Sequence, residues 1–143
     1  MPYSTRNSHT ERFTFLGFEF YRGLTKSKKV LAYARTAPEK LNVSLANFKE
    51  WLRKNRSLGT SEIFSKVKQK LIGHYNYYGL TGNYESLESY YYYFKGILKK
   101  YLNKRSQRLS CNWEKFKRWL RIYGVPKPRI TWNLKQNPKI WDV

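Results

Sequence analysis

The sequence predicts a mainly α-helical protein with a β-hairpin near its N-terminus, and two patterns indicate this. Apolar residues recur at three- and four-residue steps through most of residues 36–124, as they do along one face of successive helices. Residues 13–33 carry short aromatic and aliphatic runs divided by glycine and a basic loop, which is typical of strands. We therefore divide the chain into a flexible arm (1–12), a hairpin (13–35), a helical domain (36–124) and an irregular basic tail (125–143).

The hairpin prediction depends on alternation along residues 13–20. Phe13 and Phe15 share one parity, whereas Phe18 and Phe20 share the other. This change of phase predicts a bulge or bend around Gly17. A basic loop over residues 22–28 then leads to a second strand over residues 30–33. Isolated hairpins are only marginally stable, so we expect Phe13, Phe15 and Phe18 to need a partner surface.

Four helices are predicted after the hairpin. The first begins at Pro38, with Thr36 as its N-cap and Glu39 completing a capping box. The second covers about 61–78, the third about 84–104 with Asn83 as N-cap, and the fourth about 112–123. A Pro-rich segment then prevents further helix, so the tail is expected to be irregular.

The charge indicates a polyanionic partner. The chain has 29 Lys and Arg against 9 Asp and Glu, a formal net charge of +20, which attracts nucleic acid or an anionic membrane surface. Its 18% aromatic content predicts a packed core rather than a disordered tail. No apolar run approaches a membrane span, and the aromatic residues are spread through the helices, so we expect no membrane partner.

Catalysis is not expected from these residues. Two-metal chemistry needs paired carboxylates, but Asp142 is the one aspartate in the chain. Glu85 and Glu88 are explained as charges at a helix N-terminus. Cys111 and the two histidines lack zinc-ligand spacing. We therefore predict no catalytic residue, metal, cofactor or small-molecule substrate. A single cysteine also fits a reducing compartment, either a bacterial cytoplasm or an organellar matrix.

The best candidate for binding is a basic run with little acid. Between Lys95 and Arg121 the sole acid is Glu114. Charge runs often only face solvent, but in so basic a chain phosphate contact is the better interpretation. Surface Tyr residues can add base stacking, and Tyr77 with Tyr92 or Tyr93 are expected at the surface, whereas Tyr75, Tyr78, Tyr91 and Phe94 are expected to pack. The RNA-binding candidates are Lys95, Lys99, Lys100, Lys104, Arg105, Arg108, Lys115, Lys117, Arg118, Arg121, Asn76 and Tyr77.

The order of motifs over residues 12–133 resembles the thumb and maturase (X) region of group II intron reverse transcriptases. The matching pieces are the Phe-Leu-Gly-Phe hairpin at 15–18, the Pro-started helix, Gly-Thr-Ser-Glu-Ile at 59–63, Leu-Ile-Gly-His-Tyr-Asn-Tyr-Tyr at 71–78, Leu-Asn-Lys-Arg-Ser at 102–106, and a Trp-containing helix followed by Pro-x-Pro-x-Ile-x-Trp at 126–132. His74 departs from the Trp usual in the family. The fingers, the metal-binding palm and the C-terminal endonuclease have no counterpart in this sequence.

The resemblance implies a four-helix, thumb/maturase-like bundle that binds structured RNA, and specifically group II intron RNA, and aids its folding and splicing. Polymerase activity is not implied, because the palm aspartates have no counterpart. One alternative is the C-terminal piece of a split or truncated reverse transcriptase, with a separate fingers and palm polypeptide as partner. Another is a degenerate remnant or a general nucleic-acid binder.

Overall fold

The computed structural model describes residues 13–24, 30–105 and 112–131. Three strands, β1 (Phe13–Phe15), β2 (Phe18–Leu24) and β3 (Val30–Thr36), precede four helices. The helices are α1 (Pro38–Lys54), α2 (Thr60–Tyr78), α3 (Tyr84–Arg105) and α4 (Trp113–Ile122). The prediction of a mainly helical chain with a small antiparallel sheet before the helices is confirmed. The predicted arm and the tail beyond residue 131 lie outside the described residues.

The sheet differs from the prediction in its turn and in its length. The described strands form one antiparallel sheet in the order β1-β2-β3. Leu16 and Gly17 form a tight turn, so Phe15 pairs with Phe18 and the chain reverses where we expected only a bend. Both turn residues have positive φ, 54° and 86°, as a type I′ turn requires. The expected basic loop is also shorter, because Arg22, Gly23 and Leu24 pair with β3, which extends to Thr36.

The β1–β2 turn docks on the end of α2. The Tyr77 hydroxyl donates to the Leu16 carbonyl at 2.7 Å, and the Ala37 N–H donates to the Gly17 carbonyl at 2.9 Å. A Cβ at Gly17 would lie 2.9 Å from the Tyr78 hydroxyl oxygen, and the φ of 86° is one that other residues rarely adopt, so both favour glycine here. Phe18 is buried, with its ring 5.2 Å from that of Tyr78. Helix α2 of the same chain therefore supplies the partner surface that Phe18 was expected to need.

Helix α1 begins without the predicted capping box. Its N-cap is Ala37, which makes no side-chain cap hydrogen bond, and Pro38 occupies the first turn. Thr36 instead ends β3, and its N–H donates to Asn83 Oδ1 at 2.7 Å. Asn83 Nδ2 donates to Thr36 Oγ1 at 2.9 Å and to the Tyr78 carbonyl at 2.7 Å. Asn83 thus precedes α3 as expected, but its side chain joins the sheet to the end of α2.

The core lies between the four helices. Phe48 of α1 stacks on Phe94 of α3 with ring centroids 3.7 Å apart, and Phe64 of α2 stacks on Tyr123 at 4.5 Å. Burying these side chains is the main favourable term in folding such a bundle. The buried cluster consists of Phe48, Leu52, Ile63, Phe64, Val67, Leu71, Tyr75, Leu87, Tyr90, Phe94, Leu98, Leu102 and Phe116.

The segment after α4 has no regular secondary structure through residue 131, as predicted, but it is docked rather than free. Tyr75 donates its hydroxyl hydrogen to the Pro126 carbonyl at 3.0 Å. The Thr131 N–H donates to the Gly79 carbonyl at 2.9 Å, and its hydroxyl donates to the Tyr75 carbonyl at 2.8 Å. A side chain at Gly79 would lie 2.5 Å from Thr131 Oγ1, so this approach requires glycine.

Candidate nucleic-acid interface

Helix α3 presents two adjacent basic stripes. Lys95 and Lys99 lie one turn apart on one stripe, and Lys100 and Lys104 lie one turn apart on the next. Successive residues of a helix are about 100° apart around its axis, so the two stripes are neighbours. The first stripe faces α4, because Lys99 contacts Trp113 of that helix. The second faces α1, because Lys100 and Lys104 line a groove together with residues of α1.

The side of α3 that faces α4 gathers three lysines. Lys95 lies over the Tyr91 ring, with Nζ 4.4 Å from the ring centroid. The pKa of Lys95 is below its ordinary value because burial removes water from the ammonium and because Lys117 and Lys127 repel its charge. A bound anion would relieve this repulsion, and a phosphate group is an anion that such groups of cations commonly take.

Two further lysines lie against tryptophan rings. Lys99 Nζ is 4.9 Å from the ring centroid of Trp113, and Lys115 Nζ is 5.1 Å from that of Trp119. Trp113 is 52% exposed, so the start of α4 shows both an aromatic face and a cation to solvent. Proteins that bind unpaired nucleic acid use this combination, stacking bases on the ring and holding phosphates with the cation.

A groove separates α1 from the second stripe of α3. Its volume is about 580 Å³. Five of its lining residues are cations and one is an acid, Glu50, which forms an ion pair with Arg53 (Nη2–Oε1, 2.6 Å). A second depression of about 390 Å³ shares part of the lining of this groove at Gly96 and Trp113. The groove is lined by Ala46, Lys49, Glu50, Leu52, Arg53, Arg56, Tyr92, Tyr93, Gly96, Ile97, Lys100, Tyr101, Lys104 and Trp113.

Most of the predicted binding residues lie on this part of the molecule. The exposed ones are Lys100, Lys104, Lys117, Arg118 and Arg121, and the half-buried ones are Lys95, Lys99 and Lys115. Arg105 ends α3, but its side chain lies outside the described residues, as does all of Arg108.

Asn76 and Tyr77 occupy a different place. Tyr77 is 53% exposed, yet its hydroxyl is bonded to the β1–β2 turn and its ring stacks on Phe18 at 5.9 Å. Asn76 is exposed beside Thr131 at the end of α2. The structure therefore gives Tyr77 a role in docking the hairpin, and Asn76 lies next to the C-terminal segment.

Sequence reasoning missed four cations that belong to this surface: Lys49, Arg53 and Arg56 in the groove, and Lys127 beside Lys95. The spacing of the first three, at steps of four and three, places them on one side of α1 and its C-terminal turn. This spacing can be recognised in the sequence, but it does not indicate that α3 forms the opposite wall of the groove.

The described residues show no cluster of metal-binding side chains. Within residues 13–24, 30–105 and 112–131, no three His, Cys, Asp or Glu side chains are grouped so that they could hold a metal ion. His74 is 9% exposed, its ring stacks on Tyr90 at 3.6 Å, and burial lowers its pKa to about 4. A buried, neutral imidazole is a packing group. In the same ranges no helix has the length and apolar character needed to cross a bilayer.

Comparison of the chain with protein-family models, with curated proteins and with solved structures finds no significant match in any of the three. The residues of this chain and the geometry of its surface are therefore what indicate its function.

Proposed function

We propose that this chain is a non-catalytic RNA-binding module that recognises structured RNA, and that this RNA is a group II intron whose folding and splicing it aids. The observation that carries the proposal is the continuous basic and aromatic surface from the α1–α3 groove across α3 to α4. Two acids lie in or beside it: Glu50 is paired with Arg53, and Glu114 lies in the first turn of α4.

Such a surface suits phosphate contact and shape recognition. Each phosphate that a Lys or Arg neutralises releases condensed counterions, which stabilises the complex strongly at low salt. Most of the cations lie on three packed helices, α1, α3 and α4, so the fold sets the spacing of the phosphates that they can reach. The protein needs no chemistry of its own in this role, because the intron RNA carries out splicing and the protein stabilises its active shape.

The choice of intron RNA rests on the ordered motifs that resemble the maturase family. Several of those motifs have a clear structural use here. The Phe-Leu-Gly-Phe run forms the turn that docks on α2, and the run at 71–78 provides Tyr75, Tyr77 and Tyr78, which hold that turn and the C-terminal segment. These uses support a fold built around the same motifs.

A second candidate function is one half of a split reverse transcriptase. It is favoured by Leu16, which is 66% exposed at the tip of the turn with a positive φ of 54°. Leucine is costly in that conformation and on the surface, so a covering chain is one explanation. Primer extension obtained only by mixing this chain with a separate fingers and palm chain would establish this alternative.

The test of the proposed function is a salt titration of RNA binding. Affinity for a group II intron should exceed affinity for an unrelated structured RNA of equal length, and both should fall steeply with salt. Equal affinity at every salt concentration would leave only a general nucleic-acid binder.

Variants locate the binding surface in the same titration. Replacing Lys117, Arg118 and Arg121 with Ala should weaken binding and flatten the salt dependence by up to about one unit per lost phosphate contact. Replacing Lys40, Lys54 and Lys66 removes the same charge from exposed positions elsewhere on the helices and should change the slope less. Equal slopes in the two triple variants would show that the α4 cations merely face solvent.

A further inference from the structure

The groove between α1 and α3 has a size that suits one nucleotide. Its volume of about 580 Å³ falls within the range of roughly 300–1,000 Å³ that is typical of sites for small organic ligands. A base-paired RNA helix is far too wide to enter such a space. An unpaired nucleotide that leaves its stack can enter, and sequence-specific RNA recognition mainly uses unpaired bases of this kind.

The lining of the groove suits a nucleotide chemically. Tyr92, Tyr93 and Trp113 are 69%, 55% and 52% exposed, and they are three of the eight large hydrophobic side chains that stand out as exposed among the described residues. Their rings offer flat faces to a base. Because five cations surround one acid that is already paired, the groove favours an anionic occupant over a neutral or cationic one.

Gly96 lines the groove, and a side chain at this position would project into open space. It lies inside α3, where glycine is a poor helix former, and a side chain there would meet no atom within 4 Å. Packing therefore gives no reason for glycine at this position. Any larger side chain at position 96 would occupy the groove, since Gly96 lines both the groove and the adjoining depression.

We propose that this groove binds an unpaired, extrahelical nucleotide of the RNA, with the base stacked on the aromatic side chains beside Gly96 and the adjoining phosphates on Lys100, Lys104 and the cations of α1. The inference rests on the proposed RNA-binding function and names the RNA element that the groove takes. In this arrangement the aromatic residues contact the base, and the α4 cations contact the phosphates of the RNA helix on either side of the nucleotide.

The test compares two RNA duplexes of equal length and charge. Each carries one bulged position, which is a 2-aminopurine base in the first and an abasic site in the second. The protein should bind the bulged base about tenfold more tightly than the abasic bulge, as expected for one stacked base. The fluorescence of the 2-aminopurine should fall on binding as the base stacks.

Two glycines provide a matched pair of variants. Gly96→Leu restores a good helix former and fills the groove, so it should remove both the preference and the fluorescence change. Gly73→Leu makes the same change inside α2. A side chain at position 73 also meets no atom within 4 Å, but Gly73 does not line the groove. This variant should leave both signals intact. Helical circular dichroism should be kept in both variants.

A second pair guards against misfolding of the leucine variants. Tyr93→Ala removes an exposed ring of the groove and should reduce the preference several-fold, whereas Tyr84→Ala removes an exposed ring elsewhere on α3 and should not.

Other results would overturn the inference in distinguishable ways. Equal binding of the two duplexes, or a preference that survives in Gly96→Leu, would reject the groove as a nucleotide site while leaving RNA binding in place. Failure to bind either duplex or the intron at low salt would reject the proposed function itself. A poly-glutamate peptide that binds the wild type but not Gly96→Leu, with no preference for the bulged base, would assign the groove to an acidic peptide.

Discussion

His74 shows how a single polar residue is accommodated in this core. Its ring lies flat against Tyr90 at 3.6 Å and also contacts Tyr78 at 4.7 Å. Its Nε2 is buried with no hydrogen-bond partner among the described residues. A buried imidazole without a partner is tolerated only in its neutral form, because charging it would leave a cation in an apolar site. The aromatic stack therefore explains how this polar residue packs in the core.

The buried state of His74 predicts a loss of stability in mild acid. Its folded-state pKa of about 4 is below the ordinary value of 6.5, so the unfolded chain binds the proton more readily between these values. Stability is therefore unaffected above pH 6.5, falls as the pH drops below it, and has lost about 2 kcal/mol by pH 5. Denaturant unfolding at pH 7.5 and pH 5.0 measures this loss.

The control for this prediction is the pair of histidine variants. His74→Phe keeps the aromatic stack without a titrating group and should remove most of the difference between the two pH values. His9→Phe changes the other histidine of the chain and should keep the difference. An unchanged difference in His74→Phe would attribute the acid sensitivity to other groups.

At the scale of elements, specific side-chain contacts join the hairpin to the helices. The Glu19–Arg35 ion pair links β2 to β3, where the two residues lie directly opposite each other. Contacts between the sheet and the helices are made by the Leu16–Gly17 turn on Tyr77 and Tyr78, and by Asn83. Asn83 is 1% exposed and makes three hydrogen bonds, so one side chain connects β3, α2 and the start of α3.

Asn83→Ala should therefore destabilise the protein more than loss of an ordinary helix cap. The change leaves the buried N–H and hydroxyl of Thr36 without their Asn83 partner, and the Tyr78 carbonyl keeps only its bond from the Leu80 N–H; the loss should cost about 3 kcal/mol. Denaturant unfolding measures the cost, and faster hydrogen exchange at the Thr36 amide localises it.

The matched control is Asn112→Ala. Asn112 caps α4 at an exposed position, where its side chain accepts from the Lys115 N–H at 2.8 Å. Its loss should cost about 1 kcal/mol and leave the Thr36 amide as slow to exchange as before. Equal costs for the two variants would mean that the hairpin is held mainly by other contacts.

At the scale of the whole molecule, the charge has opposite effects on folding and on binding. A net charge of +20 on 143 residues makes the compact state repel itself, while the same charge attracts RNA. Salt screens both interactions. Stability of the free protein should therefore rise with salt as RNA affinity falls.

We expect a gain of about 1 kcal/mol, or roughly 4 °C in Tm, between about 0.01 and 0.3 M KCl in the absence of RNA. Thermal unfolding followed by circular dichroism measures it. The variant that replaces Lys40, Lys54 and Lys66 with Ala carries three fewer charges and should gain less. A Tm that falls with salt would instead mean that favourable charge pairs outweigh the repulsion.

Local patterns by themselves determined the helices of this protein. The number and approximate positions of α1 to α4 follow from apolar spacing, from Pro38 and from the breaks at Gly59 and Gly79, although α1 already ends at Lys54, before the expected break; these signals depend only on neighbouring residues. The packing of Tyr75 and Phe94 and the exposure of Tyr92 and Tyr93 follow in the same way, because adjacent helical positions cannot all face one core.

Long-range contacts decided the rest. The phase change near Gly17 is equally compatible with a bend and a reversal, and docking on Tyr77 and Tyr78, far along the chain, accompanies the reversal. The sequence pattern predicts Thr36 as a helix cap. In the structure, Thr36 instead forms hydrogen bonds with Asn83, 47 residues away. The basic run was visible in sequence, but the groove exists only because α1 packs against α3 and sets Arg53 across from Lys100. Patterns of neighbouring residues specify elements, and the pairing of distant residues specifies the surface on which a ligand can bind.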